Sequence, residues 1–170
     1  MKKRLGHSVS IALFVTIAAV MLVVDRLTKT MILEHLSFGS SMPVIPKLFD
    51  FTLTYNKGAA FGIFEGALPF FLIIASAFSV AMFVYVVVFK KHSLFEIISL
   101  ALVVAGALGN AIDRIQHGGM VVDFIRPLFI NFPIFNVADS CIVIGVILFV
   151  IFVLIPGSTK KGRVDTDANA

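Results

Sequence analysis

Charge is scarce in this chain. Only 14% of its 170 residues are Asp, Glu, Lys or Arg, against 59% hydrophobic ones, and tryptophan is absent. So little polar side chain cannot cover a soluble globule, and the composition predicts a small bundle of membrane helices. Cysteine is nearly absent too. The single Cys141 excludes an internal disulfide, and on an apolar helix it reads as a small buried residue. His7, His35, His92 and His117 are scattered, and no HExxH or CxxC occurs, so neither a metal nor another cofactor is expected. Basic stripes with interleaved aromatics are missing, which excludes nucleic acid as a partner despite the net charge of +4.

Long apolar runs are what the chain does have. Four stretches approach the roughly 20 residues that a helical span needs: 5–24, 68–89, 94–111 and 135–155. They lack period-2 alternation, so helices are expected and a barrel is not. The third is the weakest, with Glu96 near its start and Gly106 and Gly109 three apart, a spacing that predicts a close helix-packing seam. Lys2, Lys3 and Arg4, then Lys90 and Lys91, then Lys160, Lys161 and Arg163 fall in three short segments on one side. Their density predicts that side, with both termini, to be cytoplasmic. The first run is too long for a signal-peptide core and ends Val23-Val24-Asp25-Arg26, with no small-residue cleavage site. It reads as a retained anchor. The expected organisation is one membrane domain, 1–155, followed by a polar, aperiodic and disordered cytoplasmic tail, 156–170.

The acids are few, and they gather. Asp25 closes the first run, Asp113-Arg114 closes the third, Asp123 lies in the next connection and Asp139 just inside the fourth run. With four spans, these positions meet at the extracytoplasmic surface, where a carboxylate near hydrocarbon depth costs a few kcal/mol and is usually functional. Asp113 beside Arg114, with Asn110 nearby, reads first as a local ion pair. Asp25 has Arg26 adjacent and Lys29 one helical turn on. Asp123 and Asp139 are poorly compensated and suggest a dyad. Two such carboxyls share one proton: one takes a proton from water, the other polarises a carbonyl, and an amide is cleaved without a metal. Membrane acids also serve ion and proton pathways, so a proton-coupled transporter subunit is the rival, although its ionisable groups would be expected near mid-membrane. A serine hydrolase built from Ser140 and His117, without GxSxG, and a Mg²⁺-dependent phosphotransferase are weaker readings. In the 26–67 connection, Phe49, Phe51, Leu53 and Tyr55 alternate with Asp50, Thr52 and Thr54. The pattern predicts a strand with one apolar and one polar face, which either caps the bundle or presents its edge to an extended peptide.

Five stretches in order resemble bacterial lipoprotein signal peptidase, or signal peptidase II. They are Asp25-Arg26-Leu27-Thr28-Lys29; Tyr55-Asn56-Lys57-Gly58-Ala59-Ala60-Phe61; Gly106 to Asn110 with Asp113-Arg114; Val121-Val122-Asp123-Phe124; and Phe135 to Ser140. The resemblance implies four transmembrane helices with a small extracytoplasmic β-cradle and a short surface helix. It implies Asp123 and Asp139 as the catalytic aspartates, with Asp25, Lys29, Asn56, Gly58, Asn110, Asp113, Arg114 and Asn136 supporting the site or contacting substrate. The implied substrate is a diacylglyceryl-modified prolipoprotein, cut just before the lipidated cysteine in the bacterial inner membrane by a monomeric enzyme surrounded by lipid. One departure is visible: many members have Gln where this chain has Arg26, a charge that can pair with Asp25 or meet lipid phosphate.

Overall fold

The computed structural model describes residues 4–58 and 68–154. Four helices, α1 (His7–His35), α2 (Leu68–Val88), α3 (Leu94–Gln116) and α4 (Val137–Leu154), are long and apolar enough to cross a membrane. Helix α1 runs past the predicted end of the first run at residue 24. At 29 residues it is about 43 Å long. The extension persists because its polar side chains point inward: Asp25 and Lys29, four apart on one face, are buried, while Leu27 and Met31 face outward. The polar pair thus marks a buried helix face and not a helix end. The 26–67 connection correspondingly begins at residue 36.

Helix α3 lies at the centre. It opens with a capping box in which Ser93 Oγ accepts the Glu96 N–H at 3.2 Å and Glu96 Oε2 accepts the Ser93 N–H at 3.1 Å. Its weaker hydropathy follows from its position, because Ser99, Asn110, Asp113 and Arg114 face protein rather than lipid. Helices α2 and α4 bury few residues each and expose most of their Val, Ile and Phe side chains. Phe14, Val86, Ile97, Leu100 and Val104 form the core among α1, α2 and α3. At this end, His92 is fully buried between the Phe89 carbonyl (Nε2, 2.6 Å) and Glu96 (Nδ1, 3.0 Å), and Tyr85 donates to the same Glu96 carboxylate at 2.6 Å.

The predicted glycine seam is present, and it extends to α4. A Cβ on Gly106 would stand 2.3 Å from the Ala138 carbonyl oxygen, and one on Gly145 2.8 Å from that of Ser99. Both obstacles are backbone, so neither can swing aside. Gly106→Ala is therefore expected to destabilise the bundle by about 2 kcal/mol or more, as overpacking does. Thermal unfolding in detergent checks this, with Gly6→Ala as the control, since nothing stands within 4 Å there.

Between α1 and α4 the chain builds an antiparallel sheet of β2 (Ser41–Ile45), β3 (Phe49–Asn56) and β5 (Val121–Pro127), in the order β2-β3-β5; a second, two-stranded ladder joins β1 (Arg4–Leu5) to β4 (His92–Ser93) and had no sequence signal. Strand β3 forms as its alternation predicts, but its polar face is not solvated. Asp50 and Thr52 are buried. Arg126 of β5 pairs with Asp50 through both Nε (2.8 Å) and Nη2, and the Thr52 hydroxyl donates to Asp50 at 2.9 Å. The Arg126 hydrogen bonds hold the Asp50 carboxyl below its ordinary range. Leu53, on the same strand face as Phe51 and Tyr55, joins Ile32, Val122 and Phe124 in a core that seats the sheet on α1. The short surface helix that the resemblance implies is not among the described elements. Residues 59–67, with Ala59-Ala60-Phe61, lie outside the described residues, as do Ile155 at the predicted end of the fourth run and the 156–170 tail.

Candidate active site

The acids converge at the end of the bundle that carries the three-stranded sheet, and Asn136 lies at their centre. This residue precedes α4 and is fully buried. Its side-chain carbonyl accepts the Asp139 N–H at 2.8 Å, while its own N–H donates to Asp139 Oδ2 at 3.2 Å. That reciprocal pair satisfies amides at the start of α4 and fixes Asp139 in its first turn. The Asn136 Nδ2 group donates in the opposite direction, to Asp123 Oδ1 at 2.6 Å. One carboxamide thus holds Asp139 through its oxygen and Asp123 through its nitrogen.

Each of the two carboxylates has one further amide partner. Asn110 of α3 donates to Asp139 Oδ1 at 2.7 Å, and Asn56 at the end of β3 donates to Asp123 Oδ2 at 3.1 Å. Strand pairing places these groups, since β5 runs beside β3 with Asp123 opposite Thr54. Asp123 is 1% exposed. Burial, with the charge of Asp139 adding to it, pushes the Asp123 carboxyl up to about 7.

Behind this pair lies a buried charge cluster. Lys29 Nζ is 2.9 Å from Asp25, 2.8 Å from Asp113 and 3.3 Å from Asn110 Oδ1. Asp25 reaches across to accept the Ala138 N–H of α4 at 2.9 Å, and Asp113 accepts the Val122 N–H at 3.1 Å. Lys29 thus joins α1 to α3, and two buried charge-assisted hydrogen bonds tie these helices onward, Asp25 to α4 and Asp113 to β5. The expected Asp25–Lys29 pair is present. The local Asp113–Arg114 pair is not what forms: Asp113 takes its cations, Lys29 and Arg26, from α1. Consecutive helical residues point in different directions, so adjacency in sequence predicts this contact poorly. Arg26 likewise pairs with Asp113 and Gln116 rather than with Asp25.

Arg114 faces the cavity instead. Its guanidinium donates to the Gly58 carbonyl at 2.8 Å and to the Asn110 carbonyl at 3.3 Å, and stacks 4.1 Å over the Phe71 ring of α2. Gly58 is held in turn by its N–H to Asn56 Oδ1, 3.0 Å. A cavity of about 820 Å³ opens over these groups, with Asp123, Asp139, Asn56 and Arg114 in its polar lining. The rest of the lining is largely apolar, from Phe132 to Phe135 and from Ile142, Val143 and Ile144 of α4, which follow Asp139 along the same helix. Nothing in the sequence marked Phe71, Gln116 or residues 132–134, because their relevance arises only from packing. Ser140, weighed as a nucleophile, donates its hydroxyl to the Asn136 carbonyl at 3.0 Å, an ordinary intrahelical bond. Among the described residues, no three His, Cys, Asp or Glu side chains are arranged to hold a metal ion.

Comparison with known proteins bears on what such a site does. Residues 17–155 match the family described as signal peptidase (SPase) II. A lipoprotein signal peptidase of Staphylococcus aureus is 41% identical over 161 residues, covering 94% of both chains. That of Staphylococcus haemolyticus (strain JCSC1435) is 40% identical over 163 residues, 95% of this chain and 99% of its own. A solved bacterial membrane enzyme, determined by the in meso method at 2.3 Å resolution, superposes with a TM-score of 0.82 at 38% identity, covering 96% of this chain and 98% of its own. A second such structure, at 1.9 Å, gives a TM-score of 0.78 over 92% and 99%.

Proposed function

Since the chain belongs to the signal peptidase II family, we propose that it is a multi-pass membrane protease that removes the signal peptide from prolipoproteins, with Asp123 and Asp139 as its catalytic aspartates. The observation that carries this reading is Asn136, which donates its side-chain N–H to the Asp123 carboxyl and its backbone N–H to the Asp139 carboxyl, at a cavity with both polar and apolar lining. The substrate is a prolipoprotein whose cysteine carries a diacylglyceryl group, and the scissile bond is the one just before that cysteine. An acylated peptide suits a cleft lined by a few polar groups among lipid-like side chains. The relatives give the transporter reading no support.

Asp123, raised by burial, carries the shared proton near neutrality. Asp139 takes a proton from the attacking water as its oxygen bonds to the scissile carbonyl carbon. Asp123 gives its proton to the carbonyl oxygen, and a neutral gem-diol results. The proton on Asp139 then passes to the amide nitrogen, the C–N bond breaks, and one diol hydroxyl returns a proton to Asp123. The dyad ends as it began. Arg114, Asn56 and Asn110 supply donors around the site, and the chemistry needs no metal. The enzyme works as a monomer in the bacterial inner membrane. Both termini are cytoplasmic by the density of Lys and Arg in the short segments, and the dyad lies near the extracytoplasmic surface.

The test is cleavage of a purified diacylglyceryl-modified prolipoprotein with and without EDTA. Chelator-resistant cleavage before the modified cysteine is expected. Failure to cleave by folded protein, or inhibition by EDTA, rejects the reading. The pH dependence carries its own sign. The active form holds one proton on the dyad, so kcat is expected to fall as pH rises through about 7, where Asp123 loses its proton. A kcat profile from pH 5 to 9 checks this.

A further inference from the structure

Arg26 is only partly buried and outside the cavity lining, yet its guanidinium reaches the fully buried Asp113 carboxylate, donating to Oδ1 through Nη1 and to Gln116 Oε1 through Nη2 at 2.5 Å. The other Asp113 oxygen is shared by Lys29 (2.8 Å) and by the N–H of Val122 (3.1 Å), the residue immediately before Asp123. Two consequences meet here. The Asp113 carboxylate cannot rotate while Arg26 holds one oxygen, so its hold on the Val122 amide, and with it the backbone that presents Asp123, stays fixed. Furthermore, the cluster of Asp25, Asp113, Lys29 and Arg26 is neutral only when Arg26 is counted. Without Arg26 it carries one net negative charge behind the dyad.

We propose that Arg26 is a positioning residue for the reaction: through Asp113 it locks the strand that presents Asp123 and neutralises the charge cluster on which the dyad rests. This rests on the assignment of Asp123 and Asp139 as the catalytic pair. The charged and titratable groups around Asp113 and Asp123 are Asp25, Arg26 and Lys29 from α1, Arg114 and the following His117 from α3, and Asp139 from α4; from β3 comes the neutral Asn56 amide. Of these, Lys29 and Arg114 are cations that favour an ionised dyad, and Lys29 is the one held by Asp113, the carboxylate that Arg26 also pairs with.

The sign follows from charge. Removing a cation disfavours the ionised dyad, so protons are held to higher pH and both limbs of the kcat profile move upward. In Arg26→Gln the alkaline limb is expected to rise by about half a pH unit or more. Maximal kcat falls several-fold and KM stays within about two-fold, because Arg26 does not line the cavity. Arg26→Lys keeps the charge but lacks the two-pronged geometry, so it should restore the limb to its wild-type position while recovering kcat only in part. Thermal unfolding of both variants in the same detergent confirms that folded protein is compared. A kcat profile for Arg26→Gln that superimposes on the wild type overturns the proposal. So does a fall in kcat without movement of the limb, which would make Arg26 merely structural, and so does a change confined to KM. Including Asp139→Asn in the panel separates the two claims: activity retained there sinks the dyad assignment, whereas an inactive Asp139→Asn beside an unmoved Arg26→Gln profile sinks only the role of Arg26.

Discussion

Asp139→Asn is expected to reduce kcat for prolipoprotein cleavage by at least about 10³-fold, with the protein folded and inserted as before; losing a general acid or base costs about 10²–10⁴-fold. If Asp139 is the base for the attacking water, the loss should lie at the upper end, because among the described lining residues the other carboxyl, Asp123, has the acid's part. The side-chain amide can still accept from Asn110, and the Asn136 cap to the Asp139 backbone N–H is untouched, so the start of α4 should persist. Asp123→Asn should be as inactive, but its stability should differ in a diagnostic way. A carboxyl raised from 3.8 to about 7 destabilises the fold when ionised. Its contribution is fully present below the unfolded value and is lost as pH rises through the folded one. Asp123→Asn should therefore gain in melting temperature over the wild type as pH goes from 5 to 8, while losing activity throughout. Equal stability differences at both pH values would argue against a raised carboxyl at this position.

Lys29→Met should be the most damaging single change to the fold. Lys29 is 1% exposed and is the common partner of Asp25 and Asp113. Methionine fills a similar volume, so packing is largely kept and the charge is isolated as the cause. Two carboxylates then face each other inside the bundle with only Arg26 at the rim. Removing one partner of a buried ion pair costs about 3–5 kcal/mol. In a detergent melt, the expected outcome is a large drop in transition temperature or failure to accumulate. Lys29→Met in combination with Asp25→Asn should recover part of the loss, since one orphaned charge is then gone. Independent, additive effects would mean that the two residues do not share the interaction described here.

These effects were unevenly legible in the sequence. The four helices announce themselves because lipid demands long apolar runs, and α3 reads as the weakest because it is the one surrounded by protein. Asp123 and Asp139 were legible for a physical reason: neither has a basic neighbour, so each needs some unusual compensation. The strand from Phe49 was legible from its alternation, but the fate of its polar face was not, because Arg126 comes from 76 residues away. Asp113 misled for the same reason. An adjacent arginine suggests a local pair, whereas its partners, Arg26 and Lys29, lie on another helix, Arg26 87 residues distant. The apolar run ends at residue 24, where charge begins, yet α1 continues to His35. Asp25 and Lys29 neutralise each other inside the bundle, and that arrangement lets the helix continue.

The bond from the Ala138 amide to Asp25 joins residues 113 positions apart, one on α1 and the other on α4. On the ribosome, α1 emerges with its aspartate and lysine long before α4 exists, so only each other and their immediate surroundings can satisfy them while the rest is synthesised. Asp139 and its Asn136 cap arrive with α4. The proposed dyad is therefore completed only once α4 has been made, and a chain that stops short of α4 lacks both Asp139 and the amide that Asp25 holds.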